Sequence, residues 1–337
     1  MSNISELQAT IAQLTARGKG LLAADESVAT ITKRLESVGV ESTEETRRTY
    51  RDLLLTAPHL NEYISGVILF EETLNQSTLS GVPFAKFLQD NHIVPGIKVD
   101  KGLVAVSSSN PEQVTQGLDG LAERLQKYKA QGARFAKWRA VYLVGEKTPC
   151  KIAHSMNAIG LARYAQLCQD NGIVPIVEPE ILIDGDHTIE QCEKVTEKAL
   201  HKVFKAMRKY GVILEYIILK PSMVIAGKKS KNQSTVAQVA EATLRVLKRA
   251  VPAAVPSINF LSGGQTPVQA TQHLQAMNAN GHLPWHLSFS YARALQEPCM
   301  DAWRGKKENV KAAQDIFLKR AKLNQLATLG QYKNEME

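Results

Sequence analysis

Residues Ile217–Pro221 read Ile-Ile-Leu-Lys-Pro, an apolar run that ends in one lysine and a proline. A short continuous apolar run is typical of a strand that is buried on both faces, as in a parallel sheet covered by helices. Lys220 therefore stands at the carboxyl end of a predicted buried strand. If apolar neighbours desolvate its ammonium, its pKa falls and the amine becomes a nucleophile that can form a Schiff base. The alternative is a lysine that simply extends into water.

Seven further runs have the same character, and each is followed by a longer helical pattern. Eight alternations of strand and helix predict an α/β fold of the (β/α)8 TIM-barrel type, with a closed parallel barrel. The doubly wound open sheet is the alternative. The eight predicted strands are Gly20–Ala24, Gly66–Phe70, Val94–Val99, Ala133–Trp138, Ile173–Val177, Leu214–Leu219, Ile258–Ser262 and Trp285–Phe289.

Capping and turn residues mark the helix ends between these strands. No linker rich in Pro, Gly or Ser divides the chain, so we predict a single barrel domain over residues 1–329 and a polar, frayed tail at 330–337. The marked positions are a capping box at Ser42–Glu45, a helix start at Asn110-Pro111 with a stop at Gly132, a helix from about Thr235 to before Pro252, and one from Thr266 to near Gly281.

The 337 residues carry a formal net charge of +8. Basic and acidic residues are interspersed and no aromatic-rich basic block occurs, so a phosphorylated small substrate explains the excess and nucleic acid is not an expected partner. The run Lys228–Lys231 is a solvated loop or, alternatively, an anion-binding patch. No apolar run is long enough for a bilayer, and residues 4–16 have the spacing of an amphipathic helix, which predicts a cytoplasmic protein without membrane contact.

Cysteine and histidine spacing gives no indication of a metal. The histidines show no ligand spacing, because Pro284 separates His282 from His286. There is no G-x-G-x-x-G or Walker motif for a nucleotide cofactor. We therefore expect no metal and no cofactor, so that side chains carry the chemistry. The cysteines, which we expect to be reduced, are Cys150, Cys168, Cys192 and Cys299.

Charged residues stand at the predicted carboxyl ends of the strands, which surround one cavity in a TIM barrel. Side chains two apart on a strand share a face, so Glu178 and Glu180 are expected to form a carboxylate pair, and Lys137 and Arg139 a pair of cations. Crowded carboxylates raise one pKa and suit proton transfer; an ion-pair network at the barrel mouth is the alternative. The other strand ends carry Asp25, Lys98, Asp100, Lys220, Ser262–Gly264, Ser290 and Arg293.

Phosphate is the anion that these strand ends suit best. TIM barrels often bind phosphate near strands seven and eight, where Ser262–Gly264 exposes backbone N–H groups. Arg293 can add a charge-assisted contact, although a glycine-rich turn is also common as plain turn chemistry. Lys98, well around the rim from Arg293, is a candidate for a second phosphate.

Six segments along the chain match the sequence pattern of a known family. They are Gly18–Ser27, Gly96–Gly102, Ala136–Arg139, Ile173–Glu180, Leu219–Pro221 and Phe260–Gly264. Together they resemble class I fructose-1,6-bisphosphate aldolase, and the resemblance extends from about residue 4 to about residue 332. It implies a homotetrameric, metal-independent enzyme of glycolysis and gluconeogenesis. The implied reaction is the reversible cleavage of fructose 1,6-bisphosphate to dihydroxyacetone phosphate and glyceraldehyde 3-phosphate through a lysine Schiff base.

The resemblance also implies a role for each matched residue. Lys220 matches the Schiff-base lysine, and Glu178 matches the glutamate that transfers protons. The remaining catalytic matches are Asp25, which takes the hydroxyl proton, Lys137, beside the imine, and Glu180, next to Glu178. The implied substrate-binding residues are Ser262 and Gly263 with Arg293 nearby at one phosphate, Lys98 and Arg34 toward the other, Thr30 at a phosphate-binding helix start, and Arg139, Gly264 and Ser290.

The chain departs from the family pattern in four places. Val28–Thr30 stands where the family usually has Thr-Gly-Ser, while Tyr216 and Ala292 replace frequent glycines. The sequence ends at Glu337 without the long tail that ends in tyrosine in animal and plant members, so tail-assisted proton transfer is in doubt. Two alternatives therefore stay open: another lysine-dependent barrel aldolase or transaldolase with a single phosphate site, and a catalytically silent barrel that acts as a scaffold.

Overall fold

A computed structural model describes residues 2–337, with side chains from residue 3 onward. Eight of the strands pair in parallel and close into a barrel in the order β1-β10-β9-β8-β7-β6-β3-β2, which confirms the TIM-barrel prediction and excludes the open sheet. The strands are β1 (Gly20–Ala24), β2 (Ile64–Leu69), β3 (Val94–Lys98), β4 (Leu103–Ser107), β5 (Asn110–Thr115), β6 (Phe135–Tyr142), β7 (Val174–Ile181), β8 (Ile218–Leu219), β9 (Ser257–Phe260) and β10 (His286–Tyr291).

Helices surround this barrel and cover its outer face. Threonine side chains at the N-caps form capping boxes that begin four of them, which fixes where the chain turns from loop to helix. The helices are α1 (Ser2–Leu14), α2 (Val28–Ser37), α3 (Glu44–Leu55), α4 (Glu71–Leu74), α5 (Phe84–Asp90), α6 (Leu121–Ala130), α7 (Lys151–Asp170), α8 (Ile189–Tyr210), α9 (Val236–Ala250), α10 (Pro267–Asn278), α11 (Arg293–Trp303) and α12 (Val310–Thr328).

Apolar side chains fill the amino-terminal end of the barrel, and α1 packs across it. Two glycines allow this close packing. A β-carbon on Gly96 would lie 2.3 Å from the ring of Phe135, and one on Gly66 would lie 2.6 Å from Leu14. The amino-terminal end is thus filled by side chains, and polar chemistry is confined to the carboxyl end, as is usual in this fold.

Each of the eight predicted strands overlaps a strand of the barrel, but the predicted helix start at Asn110-Pro111 is wrong. These residues open β5, which pairs antiparallel with β4 in a separate hairpin, and the next helix begins at Leu121. Alternating β-branched residues in the hairpin outweigh the helix-start signal, and a proline is tolerated because a two-stranded hairpin consists of edge strands. Leu214–Tyr216, predicted as strand, is a 3₁₀ turn that leads into β8.

Two predictions, one about the start of a helix and one about the end of the chain, also need correction. The N-cap of α3 is Thr43 rather than Ser42: its hydroxyl accepts from Thr46 N–H at 3.1 Å. The tail is not frayed, because Tyr332 is buried and its hydroxyl donates to Glu337 Oε1 at 2.8 Å, while Glu337 also pairs with Arg320. An aromatic residue in a polar tail is enough to anchor it.

Two further sequence predictions concern cysteines and membrane spans. The structure has all four cysteines as free thiols, as predicted. Across residues 2–337 none of the helices combines the length and the apolar character that crossing a bilayer requires.

Candidate active site

An open cavity of about 980 Å³ lies at the carboxyl ends of the barrel strands and collects nearly all the predicted site residues. Gly264, which follows Gly263 in the same turn, is not among the residues that line the cavity, and its contact with substrate stays a prediction. The predicted residues that line the cavity are Asp25, Thr30, Arg34, Lys98, Lys137, Arg139, Glu178, Glu180, Lys220, Ser262, Gly263, Ser290 and Arg293.

Four buried charged side chains form the floor of this cavity. Lys220 Nζ lies 3.2 Å from Glu178 Oε1, and Lys137 Nζ lies 3.2 Å from the other oxygen, Oε2. Lys137 Nζ also lies 2.7 Å from Asp25 Oδ2. Lys220 is only 3% exposed, so the alternative of a lysine that extends into water is wrong.

The register of the barrel strands sets how far along the barrel axis these charged groups lie. Lys220 follows the last residue of β8, and its N–H donates to Val177 O of β7 at 2.8 Å, which extends the strand pairing by one residue. The register places Lys98 beside Lys137 and Arg139 beside Glu178 on adjacent strands. Residues distant in sequence therefore reach the same layer because the strands are parallel and staggered.

The four charges stabilise one another in this buried position. Burial acts to raise the pKa of Asp25, but the charges of Lys137 and Lys220 outweigh burial and hold that pKa well below its ordinary value. Burial acts to lower the pKa of Lys137, but Asp25 and Glu178 raise it well above its ordinary value. Asp25 is therefore a carboxylate and Lys137 an ammonium throughout the neutral range.

The two glutamates both line the cavity, as their spacing predicts, but they pair with different cations. Glu178 contacts the two buried lysines, whereas Glu180 pairs with Nε of Arg139. Each carboxylate thus has its own cationic partner, which is the ion-pair network that the sequence left as an alternative. The charged groups that contact Glu178 are therefore the two lysines.

One end of the cavity offers groups that suit an anion. Ser262 and Gly263 form a turn after β9, with Gly263 at a φ of 55°, and Arg293 stands at the start of α11. Ser290 Oγ lines the same end; it is buried and has no hydrogen-bond partner among the described residues. A buried hydroxyl without a protein partner can still donate or accept a hydrogen bond.

The cavity is also lined by Thr30 and Arg34 of α2, which follows β1 next to β10, and by Lys98 of β3, which lies four strands from β9 around the barrel. Lys98 Nζ lies 2.9 Å from Asp100 Oδ1 and 5.9 Å from the centre of the Phe70 ring. Thr30 Oγ1 lies 3.1 Å from the hydroxyl of Ser27. Cations and hydroxyls from α2, β3, the turn after β9 and the start of α11 therefore line the cavity around the four central charges.

Sequence reasoning missed the buried residues that hold Arg34. Glu26 pairs with Arg34 and also with Arg51, whose Nη2 lies 2.6 Å from Glu26 Oε2. Gln296 donates to Glu26 Oε1 at 3.0 Å and to the carbonyl of Ala23 in β1. A signal existed: Arg51 lies on the apolar face of α3, and a charge there requires a buried partner.

The remaining histidine, cysteine and carboxylate side chains of the described residues do not cluster, and a second cavity lies outside the barrel mouth. Within residues 2–337, histidine, cysteine and carboxylate side chains form no group of three that could hold a metal ion. A smaller cavity of about 270 Å³ lies at the amino-terminal side of the barrel and is lined by Lys19, His282 and His286 among others. His286 is the exposed first residue of β10, in agreement with the predicted strand histidine.

The chain is similar to known proteins along almost its whole length. The family model for class-I fructose-bisphosphate aldolase matches residues 6–337. A probable fructose-bisphosphate aldolase class 1 of Xanthomonas campestris is 53% identical over 332 residues, which is 98% of this chain and 99% of the relative. The cytosolic fructose-bisphosphate aldolase 4 of Arabidopsis thaliana is 53% identical over 333 residues, 98% of this chain and 85% of the relative.

A solved structure has the same fold. It is a fructose-bisphosphate aldolase of Plasmodium falciparum, crystallised in a ternary complex with TRAP and a small-molecule inhibitor. It matches with a TM-score of 0.97 and 50% sequence identity, over 99% of this chain and 97% of that one. The closed barrel of this chain therefore has the same fold as that solved aldolase structure.

Proposed function

Because the chain belongs to the class-I fructose-bisphosphate aldolase family, whose members act through a lysine Schiff base, we propose that Lys220 is the lysine that forms it. The reaction is the reversible cleavage of fructose 1,6-bisphosphate to dihydroxyacetone phosphate and glyceraldehyde 3-phosphate. The observation that carries the assignment is the buried contact of 3.2 Å between Lys220 Nζ and Glu178 Oε1. Borohydride reduction in the presence of dihydroxyacetone phosphate, followed by mapping of the adduct, tests it.

Formation of the imine uses the pair Lys220 and Glu178. Glu178 takes a proton from the neighbouring ammonium, which frees the amine to attack the ketone carbon of the substrate. The protonated Glu178 then gives that proton to the hydroxyl of the carbinolamine, which leaves as water. Lys137, held as an ammonium by Asp25 and Glu178, lies 3.2 Å from the other oxygen of Glu178 and so acts on the carboxylate that exchanges this proton.

Cleavage uses Asp25 on the other side of the substrate. The iminium nitrogen draws electrons from the bond between the third and fourth carbons, and Asp25 accepts the proton from the hydroxyl on the fourth carbon as that bond breaks. The low pKa of Asp25 keeps it ionised and ready to accept. The aldehyde leaves, an enamine remains on Lys220, and protonation followed by hydrolysis releases dihydroxyacetone phosphate.

The two ends of the cavity are assigned to the two phosphates of the substrate. Ser262, Gly263 and Arg293 bind the phosphate next to the ketone carbon, with Ser290 contributing its free hydroxyl. Lys98 and Arg34, with Thr30, face the phosphate at the far end. This arrangement favours a doubly phosphorylated ketose over a substrate of a lysine-dependent aldolase or transaldolase with one phosphate.

Replacing Lys98 with Met should therefore affect the two ketose phosphates differently. We expect kcat/KM for fructose 1,6-bisphosphate to fall by about tenfold or more, since a charge-assisted contact to phosphate contributes about 1.5–3 kcal/mol. We expect kcat/KM for fructose 1-phosphate, which lacks the far phosphate, to change little. Steady-state kinetics with both substrates checks this, with Lys86→Met, a surface lysine on α5, as the control. An equal loss for both substrates would contradict the assignment of Lys98.

A second proposal concerns assembly into a homotetramer. Helix α7 exposes a stripe of apolar side chains at Ile152, Met156 and Ile159, which are 60%, 44% and 48% exposed. A contiguous apolar stripe on a soluble domain favours contact with a partner surface. Because the family resemblance implies identical subunits, we assign this stripe to contact between copies of the chain.

Introducing a charge into this stripe should weaken the assembly. We expect Ile159→Glu to lower the mass in solution below that of a tetramer, because a buried, unpaired carboxylate is costly in an interface. Leu79→Glu, at an apolar residue that is 54% exposed elsewhere, should leave the mass unchanged. Light scattering on a size-exclusion column measures both, and an unchanged mass for the Ile159 variant would remove this stripe from the interface.

We also propose where the protein acts in the cell and how its chain is divided. We place the protein in the cytoplasm. A relative that is named as cytosolic supports this location, and so does the substrate of the proposed reaction. We divide the chain into a catalytic barrel over residues 1–329 and a short tail over 330–337, with the tail attached through Tyr332 and Glu337.

A further inference from the structure

The basic run Lys228–Lys231 lies in the connection between β8 and α9, next to the connection between β7 and α8. Three backbone hydrogen bonds join the two connections: Gly227 N–H to His187 O at 2.9 Å, Lys228 N–H to Ile183 O at 2.9 Å, and Lys229 N–H to Gly185 O at 2.8 Å. The backbone of Lys228 is therefore held in place and is not part of a free loop.

The contact between these two connections is too close for side chains. A β-carbon on Gly227 would lie 2.4 Å from the carbonyl oxygen of Gly185, so the residue at 227 must be glycine unless the backbone moves. This close approach fixes the direction in which Lys228 leaves the backbone.

That direction brings the ammonium of Lys228 to the turn after β9. A β-carbon on Gly264 would lie 3.1 Å from Lys228 Cε and 3.2 Å from its Nζ. Gly264 has a φ of 82° and directly follows Gly263, which lines the cavity. Lys228 is exposed, and none of the ion pairs within 4.0 Å among the described residues involves it.

Resting on the proposed function, we propose that Lys228 is a further substrate-binding cation, which strengthens binding of the phosphate held by Ser262 and Gly263. Consecutive Cα atoms are about 3.8 Å apart, so the ammonium beside Gly264 lies within the Debye length of about 8 Å from a phosphate at Gly263. Salt therefore screens this attraction only in part. The long, exposed side chain can also turn its tip toward the phosphate when substrate enters.

The identity of the phosphate makes the expected pattern specific. The phosphate at Ser262 and Gly263 is the one next to the ketone carbon, which fructose 1,6-bisphosphate, fructose 1-phosphate and dihydroxyacetone phosphate all carry. Glyceraldehyde 3-phosphate carries only the phosphate at the far end. A cation at this turn should therefore act on the first three compounds and not on the fourth.

The test compares Lys228→Met with Lys229→Met, an exposed lysine on the same backbone. We expect Lys228→Met to raise KM about two- to fivefold for both ketose phosphates and for dihydroxyacetone phosphate in the condensation direction. The effect is small because water weakens the attraction of an exposed charge. We expect KM for glyceraldehyde 3-phosphate to stay unchanged, Lys229→Met to behave as wild type, and Lys228→Arg to restore binding. At about 1 M salt the difference between Lys228→Met and wild type should disappear.

Several outcomes would overturn the proposal. Unchanged KM values for Lys228→Met would remove its role, and equal effects of the substitutions at 228 and 229 would reduce it to general surface charge. The borohydride adduct separates this failure from failure of the proposed function. It should map to Lys220 in both the wild-type protein and Lys228→Met, whereas an adduct elsewhere in wild type would reject the Schiff-base assignment itself.

Discussion

Replacing Lys220 with Met is expected to abolish aldol cleavage, with kcat/KM lower by about 10⁴-fold or more, as for other enzymes that lose their nucleophile. In the proposed mechanism the substrate is bound covalently to the protein through Lys220 alone. Borohydride with dihydroxyacetone phosphate should give one adduct per wild-type chain, located at Lys220 by mass spectrometry. The Met variant should give no adduct, because a thioether cannot form an imine.

Lys220→Arg is the matched control, since it separates charge from nucleophilicity. Arginine preserves a cation next to Glu178 but does not lose its proton in proteins, so it cannot attack a carbonyl. We expect it to be as inactive as Lys220→Met while dihydroxyacetone phosphate still binds, measured by calorimetry. Substantial activity in the Arg variant would mean that Lys220 acts only through its charge, and an adduct at another lysine would move the nucleophile there.

The barrel and its reactive strand ends could be predicted because both depend on local pattern. Short apolar runs bounded by turn residues identify the strands. Once eight of them alternate with helices, the fold itself places the carboxyl end of every strand around one cavity. Lys220 and Glu178, at the ends of β8 and β7, could thus be predicted to meet although they are far apart in sequence.

The partner of each charge could not be predicted from spacing. Lys137 and Arg139 share a face of β6, but the structure joins Lys137 to Asp25 and Glu178, and Arg139 to Glu180. Which charges meet depends on the tilt and stagger of the strands and on the side-chain rotamers. A period of two residues identifies the common face but contains no information on these contacts.

The buried support of Arg34 also needed three-dimensional structure. Glu26 directly follows Asp25, yet it contacts Arg34 and Arg51 from α2 and α3 instead of the central lysines. An arginine on the apolar face of α3 indicates that a buried carboxylate exists, but several acidic residues could supply it. Only the three-dimensional contacts of Arg34 and Arg51 identify Glu26.

Glu178→Gln is expected to lower kcat by about 10²–10⁴-fold, the usual contribution of a general acid or base, with little change in the affinity for dihydroxyacetone phosphate. Glutamine keeps the size of the side chain but cannot transfer the proton between Lys220 and the carbinolamine hydroxyl. Borohydride reduces only the iminium, so the rate at which the adduct accumulates at Lys220 measures dehydration. We expect that rate to fall in proportion to kcat.

Glu180→Gln is the matched control for this substitution, because it makes the same chemical change two residues along β7, where the carboxylate pairs with Arg139. We expect a much smaller loss of kcat from it, since Glu180 contacts neither buried lysine among the described ion pairs. Loss of Glu178 leaves two buried cations facing only Asp25, so the melting temperature must be measured together with kcat. A variant that stays folded, binds product weakly and keeps its kcat would show that Glu178 positions the lysines and transfers no proton.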